Sequence, residues 1–161
     1  MNYIIREIQP KDNMAIAEII RSVLTEFKAN VPGTVYYDPV IYNLYEDYQR
    51  QGTRAAYFVA TINDKLVGGS GIGTVSGTDS MCELQKLYLL PEGRSIGLGK
   101  ALIEKCLAFG KAAGYQQCYL ESLPELNKAV KLYEKLGFSY LKQPMGQTGH
   151  NGCSLWMIRD L

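Results

Sequence analysis

Between Met81 and Leu102 the chain reads M-C-E-L-Q-K-L-Y-L-L-P-E-G-R-S-I-G-L-G-K-A-L, a strand, a glycine-rich loop and the start of a helix. The loop Arg94-Ser-Ile-Gly97-Leu-Gly99-Lys100 has the composition to do chemistry. At a helix start the first backbone N–H groups lack intrahelical partners, and the helix dipole adds positive character. Two glycines let those groups converge on one spot, and Arg94 and Lys100 add full charges. Such a cradle suits phosphate or pyrophosphate.

Three phosphate-loop patterns can be tested against these residues. The Walker pattern needs four residues between its first glycine and Gly-Lys, then Ser or Thr. Here five residues separate Gly93 from Gly99, and Ala101 follows Lys100. The dinucleotide pattern needs a third glycine where Leu102 stands. The third pattern, Arg/Gln-x-x-Gly-x-Gly/Ala, is met by Arg94, Gly97 and Gly99. It is the acyl-CoA pyrophosphate loop of the GCN5-related N-acetyltransferase (GNAT) superfamily, which this chain resembles. Further on, Asn127-Lys-Ala129-Val-Lys-Leu-Tyr133-Glu-Lys-Leu-Gly137-Phe138 is similar to that superfamily's Asn-x-x-Ala-x-x-x-Tyr-x-x-x-Gly-Phe segment. The two motifs fall within one stretch, Cys82 to Phe138; the N-terminal third fits in layout alone.

The resemblance implies an acetyl-CoA-dependent N-acetyltransferase that moves the acetyl group to a primary amine by direct attack on the thioester. It implies that backbone groups of Ser95, Ile96, Gly97, Leu98, Gly99 and Lys100 hold the pyrophosphate with Arg94. Pantetheine would lie beside Leu87, Tyr88 and Leu89, near a bulge that splays this strand from the next one, and Asn127 would contact pantetheine or the thioester end. Tyr133 is then the general acid for the departing sulfur, since a phenol with a pKa of about 10 can donate as a thiolate forms. Glu83, eleven residues before Arg94, is the candidate base; burial between Cys82 and Leu84 would strengthen it as one. His150, the single histidine, is a second candidate, and water a third. Tyr36, Tyr37, Tyr42, Tyr45 and Tyr48, with Glu26, Asp38, Glu46 and Asp47, are expected to line an acceptor cleft for a cationic amine. Two other functions stay open: a CoA-binding regulatory module without turnover, and a protein N-terminal or lysine acetyltransferase. The acyl chain length is not fixed by these residues.

The elements that must position these groups can be read from periodicity. Tyr3–Ile8 reads as a strand. Asn13–Lys28 reads as an amphipathic helix, with Ile16, Ile19, Ile20, Val23, Leu24 and Phe27 on one stripe and Asp12 as its N-cap. Pro39 is expected to open a second helix running to about Gln51. Residues 55–62 and 66–75 form a hairpin about Asn63-Asp64-Lys65. The return strand holds Gly68, Gly69, Gly71 and Gly73, read as a twisted strand packed under a helix. The strand at Met81, a helix from Gly97 to Ala113, a strand at 115–121, a helix from Pro124 to Leu136, and strands at 138–141 and 153–158 complete the order βααβββαβαββ. This predicts a single α/β domain over residues 1–161, with a mixed, partly antiparallel sheet of about seven strands flanked by four helices. The resemblance gives the same order.

Composition narrows the classes further. The net charge of +1 argues against a nucleic acid or membrane partner. Apolar content of 47% is ordinary for a globular protein. The four cysteines, Cys82, Cys106, Cys118 and Cys153, form no C-x-x-C and read as reduced, buried thiols of a cytoplasmic protein. No ligand cluster suggests a metal. The expected partner is a small-molecule or peptide amine, and a homodimer is compatible with the resemblance.

Overall fold

The computed structural model describes residues 2–146, 148, 149 and 151–161. β1 (Tyr3–Glu7) leads through α1 (Asn13–Glu26) and α2 (Leu44–Arg50) into β2 (Ala56–Ile62), β3 (Lys65–Thr74) and β4 (Met81–Leu89). Then come α3 (Leu98–Ala112), β5 (Gln117–Ser122), α4 (Asn127–Lys135), β6 (Ser139–Leu141) and β7 (Leu155–Asp160). The strands make one sheet in the order β1-β2-β3-β4-β5-β7-β6. β4 and β5 are its parallel pair, and the other neighbours run antiparallel. The expected element order and mixed sheet are therefore present.

Strand alternation sends side chains to two cores. Phe58, Ile72, Leu84 and Leu120 pack on one face against Leu98, Leu102, Ile103 and Cys106 of α3 and Val130 and Tyr133 of α4. Tyr57 and Val59 pack on the other face against Ile16, Ile20 and Leu24 of α1 and Leu44 and Tyr48 of α2. Each large aliphatic side chain buried this way contributes roughly 1.5–3 kcal/mol relative to exposure.

Local chemistry moved three boundaries. Asp12 does not cap α1 with its side chain; it takes a bidentate ion pair from Arg6 at 2.7 and 3.0 Å and the Gln9 N–H at 2.8 Å. The stretch opened by Pro39 is a 3-10 segment, Pro39–Asn43, capped by Asp38 accepting from the Val40 N–H. The α-helix proper begins at Leu44, after Asn43 leaves helical geometry at φ −136°. Pro124–Leu126 is likewise a 3-10 turn ahead of α4.

The glycines of β3 have a more specific use than strand twist. A Cβ on Gly71 would lie 2.3 Å from the Tyr48 hydroxyl, and one on Gly69 2.6 Å from the Tyr57 ring. One on Gly73 would meet Gln51 at 2.7 Å and Gln85 at 3.0 Å. The bare strand lets two tyrosine rings lie against the sheet, 5.5 Å apart between centroids, and reach the next strand. Tyr57 donates to the Lys86 carbonyl at 2.9 Å, and Tyr48 donates to Gln85 Oε1 at 2.6 Å.

Those two tyrosines brace a β-bulge. Gly69 pairs with Tyr88 while Gly71 pairs with Gln85, so β4 carries one extra residue. Lys86 takes it up at φ +52°, a left-handed conformation uncommon for a non-glycine residue. A bulge re-aims side chains and bends its strand. β4 is paired with β5 at Met81, Cys82 and Glu83 alone, opposite Gln117, Cys118 and Tyr119. Beyond that rung the two parallel strands part.

Candidate active site

The gap between the parted strands opens into a cleft of about 490 Å³. Leu84 to Leu89 of β4 line it, apart from Gln85. Glu121 and Ser122 of β5, Leu126 just before α4, Lys128, Ala129, Lys131, Leu132, Tyr133 and Lys135 of α4, the loop before α3, Val23 of α1 and Phe27 just after it complete the wall. A smaller chamber of about 50 Å³ adjoins it. The two share Leu84, Lys86, Tyr88, Glu121, Ser122 and Leu126. Glu83, Gln85, Thr34, Val35 and Cys153 line the chamber alone.

At the outer end the loop folds as a concave turn. Ser95 and Gly97 have φ +61° and +82°, and α3 starts at Leu98. The Arg94 N–H bonds to Pro91 at 3.1 Å and the Ala101 N–H to Gly97 at 3.0 Å. Among the described residues the amides between them, Ser95 to Lys100, find no backbone carbonyl. Ser95, Gly97, Gly99 and Lys100 line the cleft; Ile96 packs toward the core and Leu98 is buried in it. Arg94 also lines the cleft and holds the turn. Its Nε donates to the Leu89 carbonyl at 2.9 Å, and its other nitrogens clasp Glu26 of α1 at 2.8 and 2.7 Å. The Leu89 carbonyl thus has a partner within the chain. Lys128, Lys131 and Lys135 of α4 add positive charge along the opposite wall.

Tyr133 lines this cleft from α4, 7% exposed, its ring edge-on to Phe138. Burial raises its pKa, with the nearby Cys118 and Cys106 adding to the rise, so the phenol keeps its proton through the neutral range. Asn127, by contrast, is exposed at the start of α4 and is not part of the cleft wall. Ala129, Tyr133, Gly137 and Phe138 keep the spacing of the Asn-x-x-Ala-x-x-x-Tyr-x-x-x-Gly-Phe segment, but Asn127 stands one residue too close to Tyr133.

At the inner end Glu83 is 3% exposed. Gln85 Nε2 donates to its Oε1 at 2.6 Å, and Tyr48 fixes Gln85 in turn. The glycine-bared strand therefore orients this carboxylate through two intermediaries. A second carboxylate, Glu121, receives the Tyr119 hydroxyl at 3.1 Å and the Thr148 hydroxyl. Cys153 faces the chamber half-buried; its thiol is pushed up to about 12 by burial, then by Glu121 and Glu83, which leaves it protonated. Cys82, Cys106 and Cys118 are buried in the core. His150 lies outside the described residues.

The five tyrosines expected at an acceptor cleft lie apart from these two spaces. None of Tyr36, Tyr37, Tyr42, Tyr45 and Tyr48 lines either space. Tyr48 is a buried brace, Tyr36 lies under the Arg21 guanidinium at 4.2 Å, and Tyr37 and Tyr42 are exposed. The acidic residues of that region are engaged as well: Glu26 with Arg94, Asp38 as a cap, Glu46 with Asn13, Asp47 with Arg50 and Gln51.

A model of the acetyltransferase (GNAT) family matches residues 18–138. The chain belongs to this family. It is 38% identical over 160 residues to an Escherichia coli K12 protein named uncharacterized N-acetyltransferase YjgM, covering 98% of this chain and 95% of that one. Solved acetyltransferase structures share the fold. An acetyltransferase from Staphylococcus aureus Mu50 superposes with a TM-score of 0.87 at 21% identity, over 99% of both chains. YncA from Salmonella typhimurium, solved with its cofactor acetyl-CoA, gives 0.76 at 20% identity over 99% of this chain and 94% of its own. PaiA N-acetyltransferase from Thermoplasma acidophilum, in complex with coenzyme A, gives 0.75 at 20% over the full length of both.

Within this GNAT chain several wall residues escape motif reading. Lys128, Lys131 and Lys135 were visible as a basic stripe at helical spacing. Glu121 and Ser122 sit past the point where β5 leaves β4, and only the paired register reveals that. Lys86 had one signal, a charge inside an otherwise apolar strand end. Among the described residues no helix is long and apolar enough to cross a membrane, and no three metal-ligating side chains converge.

Proposed function

We propose that the chain is an N-acetyltransferase that takes acetyl-CoA in the larger cleft and a primary amine in the smaller chamber. One observation carries the donor assignment: the unpartnered amides of Ser95 to Lys100 open onto a cleft that runs along β4 to the base of the strand gap. The complexes of YncA with acetyl-CoA and of PaiA with coenzyme A support it. The residues fit the group: amides and cations for its phosphates at the loop, and the parted, unpaired edge of β4 for its amide-bearing arm.

Acetyl-CoA supplies an acetyl group on a thioester sulfur. The chain binds and aligns it through Ser95, Gly97, Gly99 and Lys100, with Arg94 fixing the loop and Leu87 to Leu89 forming the side wall. Glu83 takes a proton from the incoming ammonium, since an alkyl amine is mostly protonated at neutral pH. Gln85 keeps the accepting carboxylate turned into the chamber. Tyr133 holds a proton on its phenol oxygen and gives it to the sulfur that leaves. The apolar wall of Leu84, Leu126, Ala129 and Leu132 keeps water from competing.

Free-thiol release from acetyl-CoA over a panel of polyamines, aminoglycosides, amino acids and peptides tests the reading. Release with at least one amine is expected. Tight acetyl-CoA binding without release by any amine would leave a binding module in its place.

A further inference from the structure

Lys86 has no role in the scheme above, yet it stands where the two spaces meet. The bulge puts it on the same face as Gln85, with Nζ 6.0 Å from the centre of the Tyr48 ring. Its backbone is pinned by the Tyr57 hydroxyl. Among the described residues its ammonium makes no ion pair and no hydrogen bond, unlike Arg6, Arg50, Lys65, Arg94 and Lys100, which all pair with carboxylates. It is also, among the described residues, the one cation on the chamber wall, which carries two carboxylates, Glu83 and Glu121.

A half-buried ammonium with no carboxylate in direct contact is costly, and the strand holds it in an uncommon backbone conformation. Burial pulls its pKa down, while Glu83, Asp38 and Asp47 pull it up. Those three are held elsewhere: Glu83 by Gln85, Asp38 at its cap, Asp47 by Arg50 and Gln51. The wall thus offers two carboxylates for an ammonium and one ammonium for an anion within a chamber of about 50 Å³. A water needs about 10–15 Å³ in such a space, so a small head group fits.

We propose that the acceptor is a small amino-acid-like zwitterion, its amine directed to Glu83 and Glu121 and its carboxylate bound by Lys86. This rests on the transferase reading and adds the substrate class. A charge-assisted bond to carboxylate contributes more than a neutral one. Lys86 is then a specificity-determining contact rather than part of the proton path.

The test compares free amino acids with their amides and with the matching decarboxylated amines, following thiol release. Free acids are expected to exceed both analogues by roughly 10–100-fold in kcat/KM. Lys86→Met is expected to erase that preference and Lys86→Arg to keep most of it, with melting curves confirming that both fold. Carboxylate-free amines used as well as, or better than, the acids would overturn this proposal alone. So would an acid preference that survives in Lys86→Met. No release with any amine would overturn the transferase reading, and this proposal with it.

Discussion

The proposed donor side, the larger cleft, and the proposed acceptor side, the chamber, are built on different principles. The donor side uses backbone: the amides of Ser95 to Lys100, an unpaired strand edge, and a helix start. Its side chains, Arg94 and the α4 lysines, surround that frame. The acceptor side uses side chains held by other side chains: Glu83 by Gln85, Gln85 by Tyr48, and Tyr48 seated on Gly71. A backbone site depends on fold and glycine and tolerates drift around it. A relayed site can be retuned by one substitution several contacts away.

Substitutions can break that contrast, and the largest effect belongs to the donor side. Gly99→Glu places a carboxylate at the cradle, where a Cβ alone would already meet Leu132 at 3.3 Å. Acetyl-CoA affinity should fall by about 100-fold or more, from repulsion of like charges on top of the clash. Unchanged affinity by calorimetry would discredit the cradle. Next is Tyr133→Phe, for which kcat should drop by about 100-fold, the lower range for a lost general acid. Its acetyl-CoA affinity should stay within about twofold; equal turnover would remove the acid role.

Gly71→Ala sharpens the comparison from the acceptor side. The added methyl must displace Tyr48, at a cost of about 1–3 kcal/mol, read as a lower melting temperature. It should raise the KM for the amine more than the dissociation constant of acetyl-CoA. The opposite ranking would show that the relay serves the donor. Stability against pH probes the same layer. Burial raises the pKa of Tyr48, Tyr57 and Tyr133 above the ordinary phenol value. The folded form then binds these protons more tightly than the unfolded one. Full stability is present below about pH 10 and falls as pH rises past it; a melting temperature that is flat to pH 11 would contradict this. The smallest effect is expected from Glu26→Gln. It removes the partner of Arg94 at a partly exposed site, worth about 1 kcal/mol or less, so donor affinity should change by a few-fold at most.

The same division explains what could be read from the amino-acid order. The helices of the sequence reading appear with small shifts because apolar periodicity marks the buried face directly. The loop was legible because glycine and charge at a helix start have few other uses. The acceptor side was not. Tyr48 and Tyr45 look alike in sequence, yet one braces the sheet and the other, on the same helix, is only partly buried against the core, a difference set by which strand lies beneath. Asp12 looked like a cap until Arg6, on the neighbouring strand, claimed it. The bulge at Lys86 has no local signature; it follows from the tyrosines that reach across β3. Glu121 becomes a wall residue only because pairing between β4 and β5 stops where it does.

That stopping point sets a depth. The last rung joining the parallel strands is Glu83 opposite Tyr119, so whatever slides between them from the loop comes to rest against a closed seam. The Glu83 carboxylate at that seam lines the small chamber next to the stop. Reach into the molecule is fixed by hydrogen bonds between strands, and the flanking loops are left free to vary in what they admit.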